Sequence, residues 1–547
     1  MSVPTYAGIS GAKLRWAITA TATIGFLLFG YDQGVMSGII TGEKFNEEFP
    51  DTKGSDTYHS TIQGTVTSVY ELGCFAGAMA ALMYGERVGR RKSILFGAVV
   101  MIIGTIIQVT AFRGSWELGQ FIIGRVITIF VLTDLPIRIQ GVGNGANTSS
   151  IPVWQAETSK SHNRGLLICI EAAMIAVGTV IAYWIDFGMS YVDDSSQWRF
   201  PITFQILFAV LLIAGIMVLP ESPRWLLNHG HETEALKVLA ALNATTETNE
   251  ETQTEKRVIL DSIKTLAGVQ ASSGFKDVFS RGKGQHLRRM LIGASSQMFQ
   301  QLGGCNAVIY YCPVLFENSI GLSRTMSLVL GGVNATVYAA STLFSFIFIE
   351  RAGRRNLFLI GSAGQALAML ITMGCLIPGT VESAKGAAAG LFLFIIFFGA
   401  TWLELPWLYP AELSPLKTRT RANALSTSTN WIFNFLIVQV TPTMIASIGW
   451  RTYLVFAIFN MAFIPVIYLF YPETAGRSLE EIDVVFSRAF VEKKSPVTVA
   501  RTLKKLTVQE VELEEMRLRG ELTDEEKAAG VGVGKGMGVE EAEVRKR

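Results

Sequence analysis

The chain has 547 residues, half of them hydrophobic and only 17% charged, with a mean hydropathy of +0.36. A soluble domain carries about 25% charged residues, so an ordinary globular enzyme is excluded in favour of a membrane protein. The formal net charge of +2, spread over short loops and chain ends, offers no basic surface for nucleic acid.

A bilayer core takes about 20 apolar residues per helix. Residues 1–15 hold Lys13 and Arg15 ahead of an apolar run from Trp16 to Ile40. That run exceeds a signal-peptide core of about 7–15 residues, so it reads as the first span. Predicted spans cover 16–40, 61–82, 93–112, 118–154, 165–185 and 199–219. A polar linker, 225–287, shows helical periodicity from Glu234 to Leu242 and from Val258 to Leu266. Six more spans cover 289–315, 325–348, 356–376, 388–410, 423–447 and 451–471. The expected architecture is an all-α membrane protein of twelve transmembrane helices. It comprises an N-terminal bundle (16–224), the linker, a C-terminal bundle (288–486) and a charged tail (487–547) whose Gly-rich end is expected to be disordered. The five cysteines all lie in apolar runs and read as buried free thiols, and the five histidines fall in loops.

Lys and Arg are concentrated after the even-numbered spans: Arg87, Arg90, Arg91 and Lys92 after span 2, and Arg351, Arg354 and Arg355 after span 8. The positive-inside rule therefore places these loops and both termini in the cytoplasm. The cluster at Arg87 and its copy at Arg351 lie 264 residues apart, about half the chain, which marks a duplication. Other motifs recur with it. Glu157 followed by Arg164 answers Glu412 followed by Arg419, and Glu221 with Arg224 answers Glu473 with Arg477. Topogenic charge would account for a single Arg cluster. Two matched sets of Glu and Arg point instead to ion pairs that tie the bundles together in one conformation and separate in the other.

These paired motifs resemble the sugar-porter family of the major facilitator superfamily. So do Phe29-Gly-Tyr-Asp-Gln-Gly-Val35 in span 1, Gln300-Gln301-Leu-Gly-Gly-Cys-Asn306 with Tyr310 and Tyr311 in span 7, and Asn430-Trp431-Ile-Phe-Asn434 in span 11. The stretches from Trp154 to Tyr183 and from Pro406 to Asn434 resemble the fungal branch that includes the yeast glycerol–proton symporter. The resemblance implies the major facilitator fold and transport of a sugar or polyol. A facilitator, or a transporter-like nutrient sensor, are the alternatives.

A neutral polyol needs hydrogen-bonding side chains inside the membrane, and amides donate and accept without placing a charge in lipid. The resemblance assigns Gln300, Gln301 and Asn306 to the sugar, and similarly Asn334, Trp407 and Asn430. Gln301 and Asn306 are five residues apart, which puts them about 140° apart around the helix rather than on one face. One position departs from the family pattern: the span 5 glutamine, eight residues after the Arg of the Arg-Gly pair, is replaced by Ala172 with Glu171 beside it.

Asp32 lies among apolar residues in span 1, where a charge costs about 2.5–3.5 kcal/mol on insertion scales. The resemblance makes it a proton site paired with Arg125, and Glu171 is a second candidate proton carrier. The proton is thus the expected coupling ion, with no other cofactor and no metal. The expected setting is a monomer in a lipid bilayer, the plasma membrane by family expectation, with a small neutral sugar or polyol as partner.

The paired motifs also measure the halves. Arg87 to Glu157 spans 70 residues, whereas Arg351 to Glu412 spans 61. Sugar porters run from Gly-Arg directly into a Gly-x-Gly-x-Gly pattern, but here residues 129–140 intervene, carrying Asp134, Pro136 and Arg138. Twelve extra helical residues would add about 18 Å and rotate the remainder of the helix out of register by about 120°. They are read as translated intron or a mis-set exon boundary, the alternative being a genuine variant with a bulged loop.

Overall fold

The structure is a computed structural model. It describes residues 3–511 except 55, 112–115, 127–139, 160–163, 272–274 and 507–509, together with 513, 514 and 517. Among the described residues every regular element is helical, with one isolated bridge between Tyr6 and Ile9. The spans of the first half are Gly11–Ile39, Thr57–Val88, Arg90–Val109, a fourth in two pieces (Glu117–Val126 and Gln140–Thr158), Arg164–Met189 and Ser196–Val218. In the second half, span 7 comprises His286–Leu302 and Cys305–Val314, and spans 8 and 9 are Arg324–Arg351 and Arg354–Leu376. Span 10 comprises Val381–Phe397 and Leu405–Leu413, and spans 11 and 12 are Arg419–Ile448 and Arg451–Phe470.

Nine helices among the described residues are long and apolar enough to cross a membrane. Spans 2, 4 and 7 complete the twelve. Span 2 is long but carries Glu71 and many hydroxyls, and the other two are interrupted. The over-long part of span 4 falls between its two described pieces. Residues 129–139 of the suspected insert lie outside the described residues, and Gln140 opens the second piece. Both pieces pack on spans 2 and 3, as the two ends of a single span would.

Helix ends follow local chemistry. The Asp56 carboxylate caps span 2 by accepting from the Tyr58 amide, Ser323 caps span 8, and Thr380 with Ser383 forms a capping box on span 10. The linker contains helices Pro223–Asn228, Glu232–Asn243 and Glu250–Ala271. Its apolar face, including Leu226, Val238 and Leu242, packs with Leu14 and Ile18 of span 1, so it covers the basic end of the first half. After span 12, helix Leu479–Val491 runs across the expected tail boundary at 487. Helix Pro496–Thr502 folds back onto it through Val485, Ala489, Val499 and Ala500.

The two halves meet along spans 2 and 11, spans 5 and 8, and spans 1 and 7. Hydrogen bonds close this seam at the end away from the basic loops. Ser37 Oγ donates to the Tyr310 carbonyl (2.7 Å), and the Tyr183 hydroxyl donates to the Ile309 carbonyl (2.6 Å). Ser68 Oγ donates to Gln439 Oε1 (2.7 Å), and Trp184 Nε1 donates to Thr336 Oγ1 (3.2 Å).

Candidate substrate and proton sites

Two breaks in the C-terminal half create the amide cluster. Span 7 stops at Leu302 and restarts at Cys305, with Gly304 at φ +95°, a conformation that favours glycine. Span 10 widens into a π-turn at Phe398–Trp402 before restarting at Leu405. This leaves the Trp402 and Leu403 carbonyls accepting from Gln300 Nε2 at 2.8 and 3.1 Å. Discontinuous spans that free backbone groups next to polar side chains are how transporter folds build sites at membrane depth.

Around these breaks the amides bond to one another. Asn430 Nδ2 donates to Gln300 Oε1 (2.9 Å) and Gln297 Oε1 (2.6 Å). Asn306 Nδ2 donates to Gln301 Oε1 and to Asn434 Oδ1, both at 2.7 Å. The 140° separation expected for Gln301 and Asn306 does not hold, because the chain breaks between them and turns Asn306 back towards Gln301. Asn334 is buried, with Nδ2 lacking a hydrogen-bond partner, and is not bonded into the cluster. Trp407 is half-buried on the restarted part of span 10. Sequence reasoning missed Gln297 as a member. Its place one helical turn before Gln301 was the available signal.

Asp32 and Arg125 are each 2% exposed. Arg125 is the cation acting on Asp32, but the two do not form a direct ion pair. Tyr70 neighbours both, and its ring lies 5.4 Å from the Arg125 guanidinium carbon. Arg125 Nη2 also reaches the Thr67 carbonyl at 3.5 Å. Arg125 therefore faces Asp32 despite the interruption beyond it in span 4. Glu171 is buried on span 5 next to Ala172, with no ion-pair partner among the described residues, and does not join this group.

The basic loops form two copies of one construction. In the first half, Arg90 grips Glu157 through Nε and Nη2, both at 3.0 Å, and reaches Glu86 at 2.8 Å. Glu221 accepts from the Arg90 and Arg91 amides at the start of span 3, a carboxylate at a helix N-terminus. The Arg91 side chain donates to the Ile216 and Met217 carbonyls. In the second half, Arg354 binds Glu412 (2.9 Å) and Glu350 (2.8 Å), Glu473 accepts from the Arg354 and Arg355 amides, and Arg355 Nη2 donates to the Tyr468 carbonyl. Gly89 (φ +95°) and Gly353 (φ +82°) make each turn possible: a Cβ there would lie 2.9 and 2.5 Å from the Glu221 and Glu473 carboxylates.

The expectation is of pairs between the bundles in one of two conformations; in the conformation described none of these pairs crosses between them. Each joins helices within its own half. Arg87 and Arg351 are exposed, Arg224 is half-buried, and Arg419 Nε donates to the Ser414 carbonyl at 3.0 Å. The side chain of Arg164 lies outside the described residues.

Comparison with known proteins agrees with this architecture. The family described as "Sugar (and other) transporter" matches residues 18–486. The "Sugar transporter STL1" of Saccharomyces cerevisiae is 50% identical over 508 residues, covering 92% of this chain and 87% of that protein. The "Major facilitator superfamily transporter mfsA" of Aspergillus fumigatus is 44% identical over 514 residues, covering 93% and 92%. Among solved structures, the proton:xylose symporter XylE bound to 6-bromo-6-deoxy-D-glucose has the same fold, with a TM-score of 0.71 at 23% identity, over 87% of this chain and all of that one. With twelve spans in two halves and this match across both, the chain belongs to the sugar transporter family of the major facilitator superfamily.

Proposed function

We propose that this transporter is a proton-coupled symporter of a small neutral sugar or polyol, working by alternating access as a monomer in the plasma membrane, with both termini cytoplasmic. The observation that carries the reading is the placement of a neutral amide cluster, at two broken spans, within a membrane bundle that also buries Asp32 beside Arg125. Sugar hydroxyls would replace the amide–amide bonds of Gln300, Gln301, Asn306 and Asn430, with Asn334 and Trp407 completing the site. Breaking and remaking neutral hydrogen bonds costs little net energy, so the cluster can release its cargo as readily as it binds it. The printed names of similar proteins, a sugar transporter and a proton:xylose symporter, support the class.

In this reading Asp32 takes the proton and Arg125 compensates its charge when the proton leaves. Glu171, beside the position of the family's missing glutamine, is a further proton carrier or a ligand for an extra hydroxyl. A proton crossing with the membrane potential gains about 2.3 kcal/mol per 100 mV, equivalent to roughly a fifty-fold solute gradient. The Arg90–Glu157 and Arg354–Glu412 pairs brace the cytoplasmic ends so that each half moves as a unit. Asp32→Asn is expected to abolish uphill accumulation of labelled sugar while counterflow exchange continues. Proton-driven accumulation surviving in that variant would refute the assignment.

A further inference from the structure

The proton site contains a second carboxylate that the sequence did not single out. Glu71, in span 2, is completely buried. One oxygen accepts a hydrogen bond from the Tyr310 hydroxyl, and the other, Oε2, has no partner. The charged and titratable groups facing it come from four helices: Asp32 of span 1, Arg125 of span 4, Tyr70 and Cys74 of its own helix, and Cys305, Tyr310 and Tyr311 of span 7. Asn434 of span 11 flanks it as well.

Two features set this residue apart from a satisfied structural glutamate. The first is charge balance. Asp32 and Glu71 share one guanidinium, so with both ionised the buried group carries a net negative charge. Two carboxylates in one low-dielectric site do not readily ionise together, and one proton between them restores neutrality. The second is position. Glu71 belongs to the N-terminal half and Tyr310 to the C-terminal half, so their bond crosses the seam that must open when the transporter exposes its site to the other side. The same stretch of span 7 is held by Ser37 and Tyr183 through the Ile309 and Tyr310 carbonyls. Asn434 continues the path, because its Oδ1 accepts from Asn306, which in turn bonds Gln301. A line of neighbouring polar groups thus runs from Asp32 and Arg125 past Glu71 to the amide cluster.

We propose that Glu71 is a proton-coupling residue: it shares the transported proton with Asp32 and reports its presence to span 7 through Tyr310. The inference rests on the symport reading. An ionised Glu71 accepts a charge-assisted bond from Tyr310, whereas the protonated acid accepts only a neutral one. Loading the pair with a proton therefore loosens a contact between the halves next to the substrate amides. The proton enters and leaves as such, and no other bond changes.

The test uses the full chain in proteoliposomes, with labelled glycerol, xylose and glucose as probes. Glu71→Gln is expected to lose substrate-induced proton uptake, to make initial uptake insensitive to pH, and to retain counterflow exchange at a measurable rate. Tyr310→Phe keeps the ring but removes the donor that favours ionised Glu71. It is expected to shift the pH midpoint of uptake upward by about one unit, the equivalent of one charge-assisted hydrogen bond. Glu71→Gln with proton-coupled accumulation like that of the parent chain overturns the proposal. If Glu71→Gln loses counterflow as well, Tyr310→Phe decides: a displaced midpoint supports the proposal and an unchanged one overturns it. Absence of proton movement in the parent chain with a probe that it takes up would instead overturn the symport reading, and this inference with it.

Discussion

At the scale of single residues, the proposed substrate site is a set of amides that satisfy one another, and in this reading a hydroxylated ligand takes over their bonds. Gln300 holds two freed carbonyls of span 10 and Asn306 bridges Gln301 and Asn434, so each occupies a joint of the network. Replacing either by alanine removes one or two neutral hydrogen bonds of about 1 kcal/mol each, so KM for the transported probe should rise about five- to thirty-fold with expression intact. Initial-rate uptake over a range of concentrations checks this, and an unchanged KM in both variants would remove the cluster from the site. The amide motifs were legible in the sequence because polar side chains stand out in apolar runs. Their partners were harder to see. Glu71 was hidden in span 2, where only tertiary packing brings it beside Asp32 and Tyr310. Tyr70, from a third helix and beside both Asp32 and Arg125, likewise had no signal in the sequence.

At the scale of elements, the breaks matter more than the helices. Helix existence and order came from apolar run length, and the spans lie within several residues of those expected. The break in span 7 could be anticipated from Gly303 and Gly304, but its consequence for Asn306 could not be obtained from helical periodicity, which assumes an unbroken helix. The π-turn in span 10 has no sequence signature of comparable strength. Span 4 poses a different problem, since its first piece ends just after Arg125, its second begins at Gln140, and both pack on spans 2 and 3. Twelve further residues within one span would impose a misalignment of about 120°. Sequencing the transcript should therefore reveal a message without codons for 129–140, and a chain lacking these residues should transport at least as fast as the longer one. A message that contains them, with full transport by the longer chain, would establish a genuine variant.

At the scale of the whole molecule, the duplicated basic turns brace each half internally, and the seam between halves is hydrogen-bonded at the end away from them. With the basic loops cytoplasmic, as proposed, this is the arrangement of a transporter closed towards the outside. Duplication was legible because the motifs recur at matched spacing, but whether their ion pairs lie within or between halves depends on helix packing, which spacing does not specify. At the closed end Gly64 of span 2 lies against span 11, where a Cβ would come within 2.3 Å of the Gln439 carbonyl. Gly64→Trp should therefore hold the outer end open and lower transport by more than about tenfold, a penalty of at least about 1.4 kcal/mol against closure. Counterflow in reconstituted vesicles measures it, and wild-type exchange would mean that this contact is not part of the cycle.

The central claim is that solute and proton cross together. Adding glycerol, xylose, glucose or a disaccharide to lightly buffered vesicles or de-energised cells carrying the full chain, with a pH electrode in the medium, tests this directly. The account predicts that the transported solute, and only that solute, alkalinises the medium as it enters and does so in proportion to its uptake. Uptake that merely equilibrates, with no movement of protons, would contradict it.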